Sequence, residues 1–270
     1  MLSVSNLTKK FGKKTVLDEV SLTLNRGVYG LLGPNGSGKT TLMRCVTGIY
    51  KYSGKIEAPD TIGYLPQKFG AFRDLTVNEV LEYFSELKGI PQSEQKKHIE
   101  VCLENVHLSD RGKDKVKALS GGMVRRLGVA QAILGNPPLV LVDEPTAGLD
   151  PEERLRFKSL ISQNRERSTF LISTHIVEDV EALCDYIIIM QKGKVICQET
   201  PDNIRRAADG AVYRILESER GKLVEPYYVL RSEQVDGEIY LRVLSSHAQC
   251  GIPVQPTLED GYMNMIRGGK

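Results

Sequence analysis

A glycine-rich segment directly after a short apolar run limits what this chain can fold into more than any other feature. VYGLL at residues 28–32 predicts a buried strand, and GPNGSGKT follows at 33–40. A loop of this pattern between a strand and a helix is typical of a phosphate-binding loop, in which backbone N–H groups surround phosphate oxygens. The residues predicted to form the site are Gly33, Pro34, Asn35, Gly36, Ser37, Gly38, Lys39, Thr40 and Thr41.

The apolar pattern on either side of this loop predicts the rest of the fold. Residues 2–24 alternate with a period of two, which indicates antiparallel strands. LVLVD at 139–143 and YIIIM at 186–190 are continuous apolar runs, as in a buried parallel sheet. The predicted class is α/β, a P-loop NTPase core within 1–205, with an N-terminal antiparallel β subdomain and an inserted α-helical subdomain at about 70–135.

The character of the sequence changes beyond this core. Residues 206–270 are predicted to form a small α+β accessory region. Asp236 and Gly237 stand between two strand-like runs, which is a hairpin signal. Thr257, with Asp260 three residues later, is predicted to cap a last helix.

Composition narrows the classes of function. The 270 residues are 41% apolar and 26% charged, with a net charge of +2, so the overall charge gives no reason to expect nucleic acid or an anionic membrane as a partner. The five cysteines and four histidines lack zinc-site spacing, and scattered cysteines fit a reducing cytosol. Apolar runs fall far short of the roughly 20 residues of a membrane span. Any membrane role is therefore expected to need a partner.

Two acidic residues follow the apolar run that begins at Leu139. Asp143 and Glu144 are predicted at the carboxyl end of a parallel strand, where open α/β sheets place their ligands. Lys39 is expected to reach the β- and γ-phosphates, and Thr40 and Asp143 to bind Mg²⁺. Glu144 is expected to polarise the attacking water as a general base. Together these residues predict a hydrolase of nucleoside triphosphates.

A second anion-binding helix start is predicted in ALSGGMVRR, residues 118–126. Ser120 can cap a helix that begins at Gly121 and Gly122, whose exposed N–H groups suit an anion. Each glycine weakens a helix by about 1 kcal/mol relative to alanine. The phosphate loop and this helix start both have a role if one nucleotide is held from two sides. Two chains arranged head-to-tail can supply the two sides.

Six motifs occur in one order within about residues 1–200, and through them the chain resembles the ATPase subunits of ABC transporters. They are the phosphate loop at 33–40, YLPQ ending at Gln67, LSGGM at 119–123, LVLVDEP at 139–145, AGLD ending at Asp150 and STH ending at His175. The order of the motifs is more specific for the family than any one of them.

The resemblance implies a role for each matched residue, with ATP and Mg²⁺ as the ligands. Gln67 is implied to touch Mg²⁺ or the attacking water. His175 is implied to contact the γ-phosphate and to help hold that water. Phe11 stands where the family usually has an aromatic ring that stacks on adenine, and its alternative role is that of a core residue in the N-terminal strands.

The resemblance also implies partners. Ser120, Gly121 and Gly122 are implied to contact the γ-phosphate held by a second ATPase subunit, an identical copy or a paralogue, and Asp150 to cross the interface between them. A transmembrane permease is the other implied partner, and nucleic acid is not one. The chain is therefore expected to be cytoplasmic and peripheral on the inner face of the cell membrane, with the surface around residues 67–72 docking the permease.

Met123 bears on the direction of transport. The family usually has glutamine there, and methionine resembles the bacterial branch that drives efflux of drugs, antibiotic peptides or polysaccharides. The short interval of 28 residues from Lys39 to Gln67 and the tail segment PTLEDGYM favour the same branch. Export is thus the predicted direction, with an ABC importer as the alternative. A soluble ABC clamp of DNA repair is disfavoured because no long coiled coil separates Thr40 from Leu119, and a translation-associated ABC protein because the chain has one ATPase module.

Overall fold

The chain divides into two units, Met1–Cys197 and Gln198–Lys270. The computed structural model describes residues 1–70, 72–146, 149–247 and 250–267. The sequence-based boundary between residues 205 and 206 stays a prediction.

The first unit contains an antiparallel sheet, a parallel sheet and the helices between their strands. The strands are β1 (Leu2–Phe11), β2 (Lys14–Leu24), β3 (Val28–Leu32), β4 (Ser53–Glu57), β5 (Ile62–Leu65), β6 (Leu139–Asp143), β7 (Thr169–Thr174), β8 (Tyr186–Gln191) and β9 (Lys194–Glu199). The helices are α1 (Lys39–Val46), α2 (Val77–Leu87), α3 (Gln92–Asn105), α4 (Gly121–Ile133), α5 (Pro151–Asn164) and α6 (Val177–Glu181). Strand β9 carries the chain into the second unit.

The antiparallel sheet has the strand order β2-β1-β4. Leu2 pairs with Leu24, and Val4 pairs with Leu22. All four side chains are buried, and they share one core cluster with Leu42 of α1. The period-two pattern of the sequence thus places one apolar face of the strands in the core. The predicted N-terminal antiparallel strands are confirmed.

The parallel sheet brings three loops to one edge. Its strand order is β5-β6-β7-β3-β8-β9, and the neighbours from β5 to β8 run parallel. Strands β3, β6 and β7 are buried along their whole length. Because β7 lies between β3 and β6, their carboxyl ends place the phosphate loop, Glu144 and His175 side by side.

The helices between β5 and β6 pack on one another. Helices α2, α3 and α4 make mutual contacts, and α2 begins with a complete capping box. The backbone N–H of Thr76 donates to Glu79 Oε2 at 2.7 Å, and the N–H of Glu79 donates to Thr76 Oγ1 at 3.2 Å. Across the described ranges of the chain, we find no helix with both the length and the apolar character that crossing a bilayer requires.

The second unit has an α+β fold. Its elements are α7 (Pro201–Arg206), β10 (Val212–Leu216), β11 (Tyr227–Val235), β12 (Glu238–Ser245), β13 (Ile252–Pro253) and α8 (Leu258–Arg267), with the strand order β11-β12-β10-β13. Asp236 and Gly237 both have positive φ and join β11 to β12, so the predicted hairpin is confirmed. The predicted cap of α8 is confirmed as well, because the N–H of Asp260 donates to Thr257 Oγ1 and that of Thr257 to Asp260 Oδ2.

Candidate nucleotide-binding site

The loop between β3 and α1 has a shape that only glycine allows at two positions. Gly38 has a φ of 108°, and a Cβ atom there would lie 2.8 Å from the side chain of Leu17. A Cβ at Gly33 would lie 2.3 Å from the carbonyl oxygen of Met190. Helix α1 begins at this loop without a side-chain cap, so the N–H groups of its first turn are available to an anion.

Lys39 is a buried cation, with 6% of its surface exposed. Its Nζ donates to the carbonyl oxygen of Gly33 at 2.7 Å and lies 3.6 Å from Oε1 of Glu144. Burial lowers the pKa of Lys39, and the charge of Glu144 opposes that shift. A desolvated ammonium group with one long ion pair is suited to gain an anionic partner at the loop.

Asp143 is fully buried, and the described residues use one of its two carboxylate oxygens. Oδ1 accepts hydrogen bonds from Thr40 Oγ1 at 3.1 Å and from Ser173 Oγ at 2.6 Å. Oδ2 has no hydrogen-bond partner among the described residues. Because an unpaired buried carboxylate oxygen is costly, this atom is suited to a metal ion or to water bound by one.

The residues around Asp143 fit a magnesium ion shared with a bound phosphate. Thr40 offers a hydroxyl oxygen and Asp143 a carboxylate oxygen, and Mg²⁺ prefers such hard ligands. In the part of the chain that the structure describes, no group of three or more His, Cys, Asp or Glu side chains could hold a metal by itself. An ion here would therefore complete its coordination with water and with phosphate oxygens.

Glu144 is held at both its backbone and its side chain. The backbone N–H donates to Ser173 Oγ at 3.0 Å, and Oε2 lies 2.9 Å from Nδ1 of His175. The residue has a φ of 49°, a left-handed conformation that costs a non-glycine residue about 1–3 kcal/mol. Glu144 is thus a buried acid whose backbone and side chain are both held beside the phosphate loop.

An open cleft of about 590 Å³ brings the phosphate loop, Gln67 and Glu144 together. The residues lining it are Lys14, Thr15, Val16, Asn35, Gly36, Ser37, Gly38, Lys39, Thr40, Thr41, Gln67, Glu144, Lys192 and Gly193. The segments at 14–16 and 192–193 are absent from the predicted site because no sequence motif marks them. The structure shows how one of them reaches the loop, since the N–H of Gly193 donates to the carbonyl oxygen of Ser37 at 3.0 Å.

Ser173 is the first residue of the STH motif, but the motif assigned a role only to His175. Its hydroxyl donates to Asp143 and accepts from the N–H of Glu144, so one side chain orients both acids. Ser173 lies opposite Asp143 in the register of β6 and β7. The only signal in the sequence was its place two residues before His175, because the pairing of β6 with β7 cannot be read from the chain.

The start of α4 faces open space. Ser120 caps the helix as predicted, since the N–H of Met123 donates to its Oγ at 3.2 Å. Gly121 is exposed, and a Cβ atom there would meet nothing within 4 Å. Among the described residues that line the cleft, none comes from Ser120–Gly122. The structure therefore does not bring these residues together with the phosphate loop of the same chain.

Two other predicted residues make local contacts. Asp150 is exposed and caps α5, its Oδ1 accepting from the N–H of Glu153 at 2.8 Å. Residues 147–148 of the same motif lie outside the described residues. Phe11 ends β1 and is 45% exposed, with its ring edge-on to Tyr50 at a centroid distance of 5.2 Å. The predicted contacts of Asp150 across an interface and of Phe11 with adenine stay predictions.

The chain is similar in sequence to a known protein family and to several of its members. Residues 17–147 match the sequence profile of the family described as ABC transporter. The chain is 40% identical over 198 residues to the uncharacterized ABC transporter ATP-binding protein MJ1023 of Methanocaldococcus jannaschii, covering 72% of this chain and 76% of that protein. It is 36% identical to the linearmycin resistance ATP-binding protein LnrL of Bacillus subtilis, covering 76% and 70% of the two chains. It is also 36% identical to the Nod factor export ATP-binding protein I of Ralstonia nicotianae, covering 76% and 68%.

A solved structure shares the fold of about three quarters of this chain. The dimeric post-hydrolysis state of the ATP-binding cassette MJ0796, bound to ADP and Pi, superposes with a TM-score of 0.66 at 26% identity. The match covers 74% of this chain and 98% of that one. The predicted fold class, an α/β P-loop NTPase core, is confirmed.

Proposed function

Since this chain belongs to the ATP-binding proteins of ABC transporters, we propose that it hydrolyses Mg-ATP over its phosphate loop, as one of two ATPase subunits that power export through a separate permease. Family membership makes the chain an ATPase and a transporter subunit. The observation that carries the catalytic assignment is the Glu144 carboxylate, which lies between Lys39 and His175 at an open cleft.

The triphosphate is placed over the start of α1. The N–H groups of the loop and the first turn of α1 bind phosphate oxygens, and Lys39 exchanges its carbonyl contact for the β- and γ-phosphates. Thr40 and Asp143 hold Mg²⁺, which supplies positive charge to the phosphate oxygens. Phe11 provides an exposed ring for the adenine base.

Hydrolysis is assigned to the group around Glu144. A water oxygen forms a bond to the γ-phosphorus, Glu144 accepts the proton of that water, and the bond to the β-phosphate oxygen breaks to release ADP. His175 Nδ1 fixes the direction of the carboxylate at 2.9 Å. Gln67 lines the same cleft and would contact the attacking water or Mg²⁺. General-base assistance of this kind contributes roughly 10²- to 10⁴-fold.

The second half of the site is assigned to another copy of the chain. Ser120 and Gly121 are exposed at the start of α4, and neither is among the described residues that line the cleft, which supports a contact with a nucleotide held elsewhere. The related cassette MJ0796 is dimeric with ADP and Pi bound. A head-to-tail pair would place each α4 start against the phosphate loop of its partner, and ATP would favour the closed pair by binding it better than the open one.

Export is the direction that the relatives support. Two proteins at 36% identity are described by linearmycin resistance and by Nod factor export. The permease contact is assigned to the surface near Gln67, where Phe72 is 50% exposed and lies edge-on to Tyr83 at 5.2 Å. Ala71, within the same predicted surface, lies outside the described residues. Purification of the tagged chain from detergent-solubilised membranes tests this part, and recovery of the chain with no polytopic protein would count against it.

The catalytic assignment is tested with Glu144→Gln. Because an amide cannot accept the proton of the water, steady-state turnover should fall roughly 10²- to 10⁴-fold while ATP still binds. Turnover and the binding of a fluorescent ATP analogue are measured on the same preparation. Glu57→Gln is the matched control, because Glu57 is an exposed carboxylate of β4 paired with Lys55. Equal turnover in the two variants would show that Glu144 is not the base.

A further inference from the structure

Arg125 lies on α4, and every N–H group of its guanidinium donates a hydrogen bond to a backbone carbonyl of two other segments. An arginine has five such donors in one plane. The five acceptors are the carbonyl oxygens of Pro66, Gln67, Asp143, Glu144 and Pro145, at donor–acceptor distances of 2.8–3.3 Å. A lysine could supply three donors and no planar arrangement, so these contacts are specific to arginine.

The five carbonyls come from the two segments that carry the hydrolytic residues. One is the loop after β5 that ends at Gln67, and the other is the turn after β6 that contains Asp143 and Glu144. Burial lowers the pKa of Arg125, and the negative charges of Asp143 and Glu144 oppose that shift. The guanidinium stays charged, and hydrogen bonds from a charged donor are about twice as strong as those from a neutral one.

The strained backbone of Glu144 is fixed on both sides. Its N–H is held by the hydroxyl of Ser173 at 3.0 Å, and its carbonyl oxygen by Nη2 of Arg125 at 2.8 Å. A non-glycine residue keeps a left-handed conformation only where its surroundings impose it. Arg125 therefore helps to set the direction in which the Glu144 side chain leaves the backbone.

We propose that Arg125 is a positioning residue for ATP hydrolysis. Through Arg125, the positions of Gln67 and Glu144 depend on helix α4, whose start is formed by Ser120–Gly122. The inference rests on the proposed function of this site. When the start of α4 engages the nucleotide of a second chain, a displacement of α4 moves Arg125 and, with it, the carbonyls of Gln67 and Glu144. The positions of the hydrolytic residues in each cleft thus depend on whether the α4 helix of the same chain is in contact with the nucleotide of the other chain.

Lys88, the residue that follows α2, provides a matched comparison because it contacts the other end of α4. Its Nζ donates to the carbonyl oxygens of Gln131, Ala132 and Leu134 at the far end of α4, at 2.5–3.2 Å. Like Arg125, it is a partly buried cation that satisfies several carbonyls. Unlike Arg125, it donates no hydrogen bond to the described residues of the segments that carry Gln67 and Glu144; its acceptors all lie at the end of α4. Lys88→Met therefore removes similar bonds without disturbing the hydrolytic residues.

The test compares Arg125→Gln and Arg125→Lys with wild type and with Lys88→Met. Because a shift of about 1 Å in a reacting group can cost 10²-fold, both Arg125 variants should lower kcat by roughly 10- to 100-fold. Their affinity for a fluorescent ATP analogue should stay within about twofold, since the phosphate loop is untouched. Lys88→Met should lower the midpoint of thermal unfolding and keep the kcat of wild type. Arg125→Lys retains a charge and three donors, so it keeps the test open if Arg125→Gln fails to fold.

The proposal is overturned if the folded Arg125 variants lose thermal stability, as Lys88→Met does, and keep the kcat of wild type. Glu144→Gln in the same assay separates this failure from that of the proposed function. If Glu144→Gln is inactive while both Arg125 variants turn over normally, only the positioning role is wrong. If Glu144→Gln itself turns over normally, the assignment of the hydrolytic site is wrong.

Discussion

Helices α1 and α4 both have a glycine at their start, Gly38 just before α1 and Gly121 at the first position of α4, and the surroundings of the two glycines differ. At Gly38, just before α1, an added Cβ would lie 2.8 Å from Leu17 of the same chain. At Gly121, the first residue of α4, an added Cβ would meet nothing within 4 Å. Helix α1 has no side-chain cap at Gly38, whereas the side chain of Ser120 caps α4. One start is enclosed by its own chain and the other is open.

The difference supports an assignment of which half of the proposed site a single chain supplies. Around α1 the chain gathers a buried cation, a hydroxyl and two acids, Lys39, Thr40, Asp143 and Glu144, so a nucleotide can be held there by one subunit. At the start of α4, Gly121 is exposed, and none of the described residues that line the cleft comes from this helix start. We infer that the first start binds ATP and that the second supplies its contacts to a nucleotide on another chain.

The largest effect that separates the two starts is expected from Ser120→Arg. A long cation at the open start blocks closure of the pair, so turnover should fall roughly 100-fold or more, in the range of a lost catalytic group. ATP binding by the single chain should not change, because Ser120 is not among the residues of the cleft. Ser93→Arg on the exposed surface of α3 is the control. Normal hydrolysis by Ser120→Arg would show that the start of α4 takes no part in the hydrolytic site.

Gly38→Ala and Gly121→Ala are expected to have smaller effects, and to change the stability of the protein in opposite directions. Alanine at the φ of 108° of Gly38, against Leu17, should destabilise the protein by about 1–3 kcal/mol. Alanine at Gly121 has room and a better helix propensity, and should stabilise it by up to about 1 kcal/mol. Turnover should nevertheless fall in Gly121→Ala, because a methyl group then stands where backbone is exposed. Chemical denaturation and ATPase rates measure both, and equal destabilisation of the two variants would show that the starts do not differ.

A pH-dependent effect on stability alone is expected at the far end of α4, where Lys88 donates to the last carbonyl oxygens of the helix. Burial lowers the pKa of Lys88 from 10.5 to about 8. The unfolded chain therefore binds this proton more tightly than the folded one, and protonation favours unfolding. Stability relative to Lys88→Met should rise as the pH increases from about 8 to 10.5, by roughly 2 kcal/mol between pH 7.5 and 9.5.

The measurement is the unfolding free energy of wild type and Lys88→Met at those two pH values. Comparing the two proteins removes the contributions of the other titrating groups, which they share. Parallel pH dependence in the two proteins would mean that Lys88 keeps an ordinary pKa in the folded chain.

Local sequence patterns predicted the elements that depend on neighbouring residues. The phosphate loop, the cap at Ser120 and the hairpin at Asp236–Gly237 are each determined within a few residues, so spacing and residue type were sufficient. The acids Asp143 and Glu144 could be placed at a strand end for the same reason, because a continuous apolar run precedes them.

Contacts that join distant segments could not be predicted in this way. Ser173 meets Asp143 only because β7 pairs with β6, and the order of strands in a parallel sheet is not written in any local pattern. Arg125 resembled an ordinary charged residue of a helix, yet its acceptors lie as far away in the chain as Pro66. The open space before Gly121 likewise depends on the whole fold.

The molar mass of Glu144→Gln in solution, with and without Mg-ATP, tests the two-chain site most directly. Light scattering should give the mass of one chain without nucleotide and twice that mass with ATP, because the variant binds ATP and does not hydrolyse it. The double variant Glu144→Gln, Ser120→Arg should bind ATP and stay at the mass of one chain. A single-chain mass for ATP-bound Glu144→Gln, or a dimeric double variant, would contradict the assignment of the α4 start to a second chain.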